Sequence, residues 1–242
     1  MNNGGKLLQQ ALMENHIGEH ESKYVFPRYL APKLDSWLRS RCLSDPDYPI
    51  GTISSIYYDT SDWSLLHEKL NSDFLKAKIR LRWYSNIDNG QVLPNNYLEI
   101  KFKVGSSRHK YRLATGLPSD WIATASLSSS TLIELPRLLQ QQGFLIPGLL
   151  YPTIQIDYTR LRFVDPLSGA RLSVDHSIRV TRCNPLMLAR SRPQPLDVGV
   201  FELKEKSGRL PDWLHQLSAF GCRRTAFSKY SACWQQVTNQ QF

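Results

Sequence analysis

Hydrophobic and polar residues alternate with a period of two over eight segments of the chain, the pattern of β-strands that present two different faces. These segments are rich in Tyr, Ile, Val and Phe, and Gly, Pro, Asn, Asp or Ser separate them. They span residues 19–26, 51–60, 76–84, 96–104, 108–115, 153–163, 170–180 and 198–206. The alternation therefore predicts a fold built mainly from β-strands.

Three further segments carry the spacing of helices instead. The first spans 31–42, and the second spans 128–143, where Pro136 must begin or kink a turn. The third spans 210–221 and has Pro211 in a favourable first-turn position. Helices therefore lie between or after the strands, which predicts an α+β protein in which β-structure dominates.

Neither a linker-like stretch nor a repeat divides the chain, so we predict a mobile segment at 1–18 and a single domain at 19–242. The four cysteines form no CxxC pair, which argues against structural zinc and fits free thiols in a reducing cytoplasm. No signal-peptide pattern and no run of 18 apolar residues is present. We expect a cytoplasmic protein, and peripheral association with the inner face of the membrane through a partner protein stays open.

The polar faces of seven strand segments are charged. In segment 76–84, Lys76, Lys78, Arg80 and Arg82 share one face because side chains two apart in a strand point the same way. The other charged faces are Glu19, Glu21 and Lys23; Glu99, Lys101 and Lys103; Lys110 and Arg112; Tyr158, Arg160 and Arg162; Arg171, Ser173 and Asp175; and Glu202, Lys204 and Lys206. Alternation by itself allows these faces to point to solvent or into a barrel.

The charge balance favours the inward arrangement. The chain has a net charge of +9 and a pI near 9.4, although its 41% hydrophobic and 21% charged residues are ordinary for a globular protein. A strong positive balance predicts a polyanionic partner such as a phosphorylated metabolite, nucleic acid or anionic membrane. Buried cations require counter-charges, so an inward arrangement requires a polyanion. We expect a divalent metal, Mg²⁺ or Mn²⁺, to accompany it, held by the glutamates.

In sequence order, the motifs resemble the VTC domain, the polyphosphate-polymerase branch of the triphosphate tunnel metalloenzymes. The first strand has E-x-E-x-K at 19–23, followed by Tyr24, and S-x-Y-x-D-T follows at 55–60. K-x-R-x-R-x-Y lies at 78–84 and E-x-K at 99–101. The second half has Y-x-R at 158–160, R-x-S-x-D at 171–175, E-x-K at 202–204, L-P-x-W at 210–213 and F-S-K-Y at 227–230.

The resemblance implies a closed eight-stranded antiparallel β-barrel with a charged interior, flanking helices and a tunnel. It also implies transfer of the γ-phosphoryl group of ATP to a growing polyphosphate chain, with Mn²⁺ or Mg²⁺ as cofactor. The catalytic contacts to phosphate that it implies are Lys23, Arg80, Arg82, Lys101, Arg160, Arg171 and Lys229. The substrate-binding residues are Lys78, Lys110, Arg112, Tyr158, Lys204 and Ser228, and the metal ligand is Glu202.

Other functions stay open at this point. A tunnel enzyme could hydrolyse the same substrates, although Val200 and Lys204 stand where the hydrolytic branch has an acidic residue two positions from Glu202. A non-catalytic binder of polyphosphate or nucleic acid is the third alternative. Binders of single strands stack bases on aromatic residues beside basic ones, whereas the aromatics here mostly lie opposite the cations. We therefore expect ATP and polyphosphate as partners and no nucleic acid.

Two smaller sets of residues have structural alternatives. Glu21 and Glu99 could be lesser metal ligands, but we expect salt bridges that fix the neighbouring lysines. Tyr57, Tyr58 and Trp83 are expected to pack in the core and not to stack on a nucleobase.

Overall fold

The computed structural model describes residues 20–71, 73–104, 107–146, 148–188, 195–206 and 208–239. The predicted mobile segment at 1–18 and Glu19 lie outside these residues. Within these ranges the chain forms ten strands: β1 (His20–Pro27), β2 (Leu43–Ser44), β3 (Ile50–Asp59), β4 (Leu75–Ser85), β5 (Val92–Val104), β6 (Ser107–Ala114), β7 (Tyr151–Val164), β8 (Arg171–Cys183), β9 (Val198–Glu205) and β10 (Arg223–Arg224). Each of the eight predicted strands is present, and the two-residue strands β2 and β10 are additions.

The strands form one antiparallel sheet in the order β10-β1-β9-β8-β7-β3-β4-β5-β6, with β2 paired to β7. The predicted antiparallel fold with flanking helices is therefore confirmed. The strands do not close the barrel by pairing, because within the described residues β10 and β6 are the two edges of the sheet. A hydrogen bond from Lys78 to Ser228 connects β4 to the start of the C-terminal helix.

In the part of the chain that the structure describes, six α-helices accompany the sheet: α1 (Ala31–Arg39), α2 (Ser64–Leu70), α3 (Ser119–Thr124), α4 (Ser130–Glu134), α5 (Arg137–Gln141) and α6 (Lys229–Thr238). Two 3₁₀ helices span Arg28–Leu30 and Asp212–Phe220. The segment predicted as a helix at 128–143 is split into α4 and α5 at Pro136, and the helix predicted at 210–221 is a 3₁₀ helix. Helices α2, α3 and α6 were not predicted. Within the described ranges, no helix has the length and apolar character needed to cross a membrane.

The outer face of the sheet is apolar and is covered by helices. Phe163, Val174 and Phe201 pack against α1 and the 3₁₀ helix at 212–220. Farther along the sheet, Leu81 and Ile100 pack against α3, α4 and α5. Trp83 and Tyr58 are 1% exposed in this outer core, so their predicted role in packing is confirmed.

The inner face differs from the sequence expectation because it is charged over only part of its length. Beyond the charged positions, β7, β8 and β9 present Ile156, Val180 and Val200 on this same face, and all three are buried. Helix α6 covers these apolar positions with Cys233, Trp234 and other side chains. The helix therefore seals one end of the concave face and places its first residues beside the charges.

Buried polar contacts fix α6 in this position. The Tyr230 hydroxyl donates to Asp59 Oδ2 over 2.9 Å, and its ring stacks on Tyr57 with the centroids 4.9 Å apart. Asp59 also accepts from the backbone N–H groups of Leu65 and Leu66 at the start of α2. The S-x-Y-x-D-T segment at 55–60 thus joins β3, α2 and α6, which explains why a polar residue stands at Asp59.

Candidate functional site

The charged faces of the strands converge on one enclosed space. Glu21 of β1 and Lys101 of β5 lie close enough to affect each other's pKa, although five strands separate β1 from β5 in the sheet. From β4, the Lys78 Nζ donates to the Ser228 Oγ over 2.9 Å, immediately before α6. The sheet is therefore curled so that its charged face lies inside, as the composition predicted.

Glu99 organises the cations of β4 and β6. This carboxylate is fully buried, and its Oε2 accepts from Arg80 Nε and Nη2 over 2.7 and 2.6 Å. Its Oε1 accepts from Lys110 Nζ over 2.7 Å and from Arg112 Nε over 3.1 Å. Arg82 Nη1 lies 3.9 Å from the same carboxylate. The predicted salt-bridge arrangement at Glu99 is present, with four cations around one anion.

The electrostatics follow from this crowding. Burial opposes ionisation of Glu99, but Arg80, Arg82 and Lys110 outweigh it and hold its pKa well below the usual range. For Lys110, burial lowers the pKa to about 8 despite the attraction of Glu99, and Arg112 adds to the lowering. The carboxylate is therefore ionised at neutral pH, and its four cationic neighbours still exceed it in charge.

A second cluster joins β7, β8, β9 and α6. Arg160 donates to both oxygens of Asp175 over 2.5 and 2.6 Å, and its Nη2 donates to Glu202 Oε2 over 3.0 Å. Lys229 Nζ lies 2.5 Å from Asp175 Oδ2 and 3.4 Å from Glu202 Oε1. Lys23 Nζ lies 3.7 Å from Glu202 Oε1 and 3.5 Å from Glu21 Oε1. Three of the predicted phosphate contacts are thus held by this acidic pair.

These charges also shift the pKa of the acidic pair. Burial would raise the pKa of Glu202, but Lys229, Arg160 and Lys23 outweigh it and hold the value well below the usual range. Burial would likewise raise the pKa of Asp175, but Arg160 and Lys229 outweigh it and lower that pKa. Both side chains are therefore carboxylates at neutral pH, not acids able to donate a proton.

Tyr158 connects the two clusters. Its hydroxyl accepts from Arg82 Nη2 over 3.1 Å, and Arg82 Nε donates to Ser55 Oγ over 3.1 Å. The Tyr158 ring lies below Lys229, whose Nζ is 4.9 Å from the ring centroid, and Arg160 is 5.6 Å from the same centroid. One tyrosine therefore contacts an arginine of β4 and an arginine of β7, two strands that β3 separates in the sheet.

Two lysines between the clusters have no ion-pair partner among the described residues. Lys78 has Ser228 as its hydrogen-bond acceptor, and burial together with Lys23, Arg80, Lys69 and Lys229 lowers its pKa to about 7. For Lys101, burial and the cations Arg80 and Lys110 lower the pKa well below the usual range, although Glu21 acts in the opposite direction. These shifts indicate that positive charge accumulates here beyond what the protein compensates.

The other predicted residues lie around this centre. Arg171 and Lys204 are paired in register at the β8–β9 end, and Arg171 is exposed there. Ser228 caps α6 by accepting from the backbone N–H of Ser231 as well as from Lys78. Arg112 rests on the ring of Tyr97 with its Cζ 4.5 Å from the centroid. The structure thus gathers most of the predicted residues and leaves Arg171 at the rim.

The net charge of the chain resides mainly in this cavity. The inner face carries the eleven predicted cations and the four carboxylates Glu21, Glu99, Asp175 and Glu202. Of 30 basic and 21 acidic residues, 19 basic and 17 acidic ones therefore remain for the rest of the chain. Most of the excess positive charge predicted to meet a polyanion therefore lies in the cavity and at its rim, and the remainder of the chain is nearly balanced.

The fit of a divalent metal can be judged from the donors. Among the described residues, no group of three or more His, Cys, Asp or Glu side chains could hold a metal ion. Both oxygens of Glu202, the predicted ligand, are already engaged by Arg160, Lys229 and Lys23. Mg²⁺ usually binds one or two carboxylates and completes its coordination with substrate phosphates and water. Glu202 fits a metal that arrives with phosphate, not a site built from protein ligands alone.

Two residues that sequence reasoning left without a role in the site hold it together. Asp175 anchors Arg160 and Lys229, and Tyr57 accepts from Arg80 Nη1 over 3.4 Å. Alternation had placed Asp175 on the same face as Arg171, so its position was visible in the sequence. Its link to Lys229 was not, because α6 was not predicted.

Comparisons with known proteins address the fold and the family. A search of curated proteins finds no match. Among solved structures, a Bacillus halodurans protein given as a candidate adenylate cyclase is 13% identical, with a TM-score of 0.49, and the alignment covers 88% of this chain and 96% of that one. A Vibrio parahaemolyticus protein described in the same way is 11% identical, with a TM-score of 0.44 and coverages of 91% and 99%.

An RNA triphosphatase from S. pombe is 9% identical, with a TM-score of 0.30 and coverages of 84% and 76%. The family model of the VTC domain matches residues 18–238, nearly the whole chain. The chain therefore belongs to the VTC domain family.

Proposed function

We propose that this protein is a polyphosphate polymerase that transfers the γ-phosphoryl group of ATP to the end of an inorganic polyphosphate chain. The observation that carries the proposal is a cavity on which cations from β1, β4, β6, β7 and the start of α6 converge, where the described partner of Lys78 is a serine hydroxyl and not a carboxylate. Such a cavity needs an anion with several charges to neutralise it. A chain of phosphates, with at least one charge on each unit, meets this requirement.

The residues present suit binding and positioning more than proton transfer. Arginine forks bind phosphate oxygens in fixed bidentate geometry, and Arg80, Arg82 and Arg160 are each oriented by a protein acceptor. Lys78, Lys101 and Lys229 add point charges around them. Because two highly charged anions must meet in line, neutralising their repulsion is the main requirement of phosphoryl transfer.

The proposed reaction needs no general base. The terminal phosphate of the acceptor is already ionised near neutral pH, so its oxygen can attack the γ-phosphorus directly. The bond from the γ-phosphorus to the β–γ bridging oxygen breaks as the new bond forms, and ADP leaves with that oxygen. This agrees with a site whose carboxylates, Glu99, Asp175 and Glu202, are all held ionised by cations.

We propose that Mn²⁺ or Mg²⁺ enters with the nucleotide and is held by Glu202. When bound, such an ion neutralises phosphate charge and orients the leaving group. Phosphate binding would engage Lys23, Lys229 and Arg160 and thereby release the Glu202 oxygens that these cations now occupy.

The direct test is to incubate the purified protein with ATP and Mn²⁺. We expect ADP and long polyphosphate in equal phosphate yield. Free phosphate without polymer would contradict the proposal and favour a tunnel hydrolase. The buried, apolar Val200 beside Glu202 argues against hydrolysis, because it stands where a second carboxylate would be needed.

The role of the arginine forks is tested by Arg80→Ala. We expect polymer synthesis to fall by at least about a hundredfold, because a preorganised charge contact at transferring phosphate contributes about 3 kcal/mol or more. Arg137→Ala, at an exposed arginine of α5 paired only to Glu134, is the matched control and should retain full activity. Near-normal synthesis by a folded Arg80→Ala protein would refute this assignment.

A further inference from the structure

We propose that Lys76 and Lys103 extend the cavity into a lysine track that binds the long polyphosphate chain away from the reacting phosphates. The inference rests on the proposed function and adds a binding surface to it. Lys76 and Lys103 are register partners on β4 and β5. They lie on the same face as Lys78 and Lys101, two residues farther along each strand.

The pairing of β4, β5 and β6 arranges the cations in rows. One row contains Arg80, Glu99 and Arg112, and the next contains Lys78, Lys101 and Lys110. The pair of Lys76 and Lys103 follows, about 7 Å beyond that row by the rise of a strand, and Arg108 of β6 is the register partner of Lys103. The rows therefore lead from the arginine cluster toward the start of β4.

These lysines stand opposite like charges, and the nearest influence of opposite sign in their rows is that of Glu21 on Lys101. Among the described residues, neither Lys76 nor Lys103 forms an ion pair, and the same holds for Lys78 and Lys101. The acidic side chain beside this part of β4 is Glu68, whose Oε2 accepts from the backbone N–H of Ala77 over 2.8 Å. Like charges directly opposite each other weaken a sheet, so these four lysines in two adjacent rows favour a bound polyanion.

The residue types differ between the two ends of this surface. Around Glu99, arginines and lysines are fixed by short hydrogen bonds, which suits a defined position of phosphate. Beyond that row the cations of β4 and β5 are lysines, whose flexible stems carry hydrated point charges. Such residues hold a repeating anion without imposing one register, which allows a growing chain to move along them.

The two lysine rows themselves contain no aromatic residue, which favours polyphosphate over a nucleic acid; the exposed Phe74 lies outside them, directly before β4. Phe102 and Tyr111 belong to β5 and β6 but lie on the outer face, where they pack against Phe144. Proteins that bind single-stranded nucleic acid stack bases on aromatic side chains beside the basic groove. The rows offer charge without stacking, which matches a polyanion that carries no bases.

The test compares ligands of different length on the double variant Lys76→Gln/Lys103→Gln. We expect affinity for polyphosphate of about 100 units to fall about tenfold, as expected when two close charge contacts are lost. The dependence of that affinity on salt should become shallower as well, because fewer counter-ions are exchanged. Affinity for tripolyphosphate should change less than about twofold, since three phosphates are held by the inner cations.

The matched control is Lys33→Gln/Arg137→Gln, which removes the same charge from exposed positions of the outer helices. It should leave both affinities unchanged. An equal loss for the short and the long ligand would overturn the track and place both lysines at the reacting phosphates. Unchanged binding of long polyphosphate, or a loss seen only with single-stranded RNA, would overturn it as well.

Binding and synthesis are measured separately, so the two proposals can fail independently. A wild-type protein that makes no polymer from ATP but shows the length-dependent loss would refute the proposed function and retain the track. A wild-type protein that makes polymer, with a variant that binds long chains normally, would refute the track alone.

Discussion

Lys78 lies among four other cations and donates to a serine hydroxyl. With its pKa lowered to about 7, a large part of this lysine is neutral above neutral pH in the ligand-free protein. A bound phosphate would favour the charged form. Binding at Lys78 should therefore be linked to the uptake of a proton.

This linkage predicts that affinity for tripolyphosphate falls as the pH rises from 7 to 9. Lys110, whose pKa is lowered to about 8, contributes to the same decline. Calorimetry in buffers of different ionisation enthalpy would measure both the affinity and the protons taken up. Lys78→Met should bind more weakly at pH 7 and take up fewer protons at pH 8. An unchanged proton count in the variant would contradict the prediction.

The same substitution should stabilise the ligand-free protein. The pKa of Lys78 is lower in the folded state than the ordinary value of 10.5, so its charge penalises folding fully below pH about 7. The penalty fades as the pH rises toward 10.5, because the unfolded chain then loses its extra proton. Lys78→Met should therefore raise the free energy of unfolding by about 1–2 kcal/mol at pH 6 and less at pH 9. An equal gain in the free energy of unfolding at pH 6 and pH 9 would contradict the explanation that the charge of Lys78 destabilises the fold.

The charge of Glu99, unlike that of Lys78, stabilises the folded protein, because it compensates the cations around it. Glu99→Gln removes the negative charge from beneath Arg80, Lys110 and Arg112 and leaves them to repel one another. Breaking a buried ion cluster in this way costs about 3–5 kcal/mol of the free energy of unfolding. Denaturant titration should show this loss, whereas Glu134→Gln, at an exposed pair with Arg137, should change stability by less than about 1 kcal/mol.

At the scale of secondary-structure elements, α6 has the greatest influence on the site. It buries apolar side chains on the inner face of the sheet, and its first residues, Ser228 and Lys229, contact Lys78, Asp175 and Glu202. The packing of one short helix thus decides both where the cavity ends and where two of its polar groups lie.

Tyr230→Phe tests this coupling between packing and site. The change removes the 2.9 Å hydrogen bond to Asp59, a buried carboxylate, and should destabilise the protein by about 1–3 kcal/mol. Polymer synthesis should also fall, because α6 positions Lys229. Tyr29→Phe, at a residue that is 78% exposed, serves as the control for both stability and activity. A destabilised variant that retains full activity would separate the helix from the site.

At the scale of the whole molecule, concentration of charge in one cavity makes stability depend on anions. Tripolyphosphate at a hundred times its Kd should stabilise the folded state by about 2.7 kcal/mol, which raises Tm by about 5–10 °C for a domain of this size. Thermal unfolding followed by circular dichroism would measure the shift. Sulfate at the same concentration should give a much smaller shift, and a similar one would indicate general anion stabilisation.

The pattern of the chain was sufficient to predict the strands and the composition of their faces. Period-two alternation placed Arg80 and Arg82 on one face and Ile79 and Leu81 on the other, and the structure retains this division. Because alternation is a local property of an extended backbone, it can be read without knowledge of tertiary contacts. The motifs resembling the VTC domain were likewise confined to single segments.

Only the tertiary structure decided which way the charged faces of the strands point and which charged side chains pair with one another. Alternation cannot say which face of a sheet is concave, and the inward position of the cations depends on the curl that brings Glu21 near Lys101. The apolar end of the inner face was not foreseen, since Val200 and Ile156 become buried there only because α6 returns from the end of the chain to cover them. Local sequence thus determined what each strand presents. Contacts between residues far apart in the chain determined which charges are compensated and which, as at Lys78, are left for a ligand.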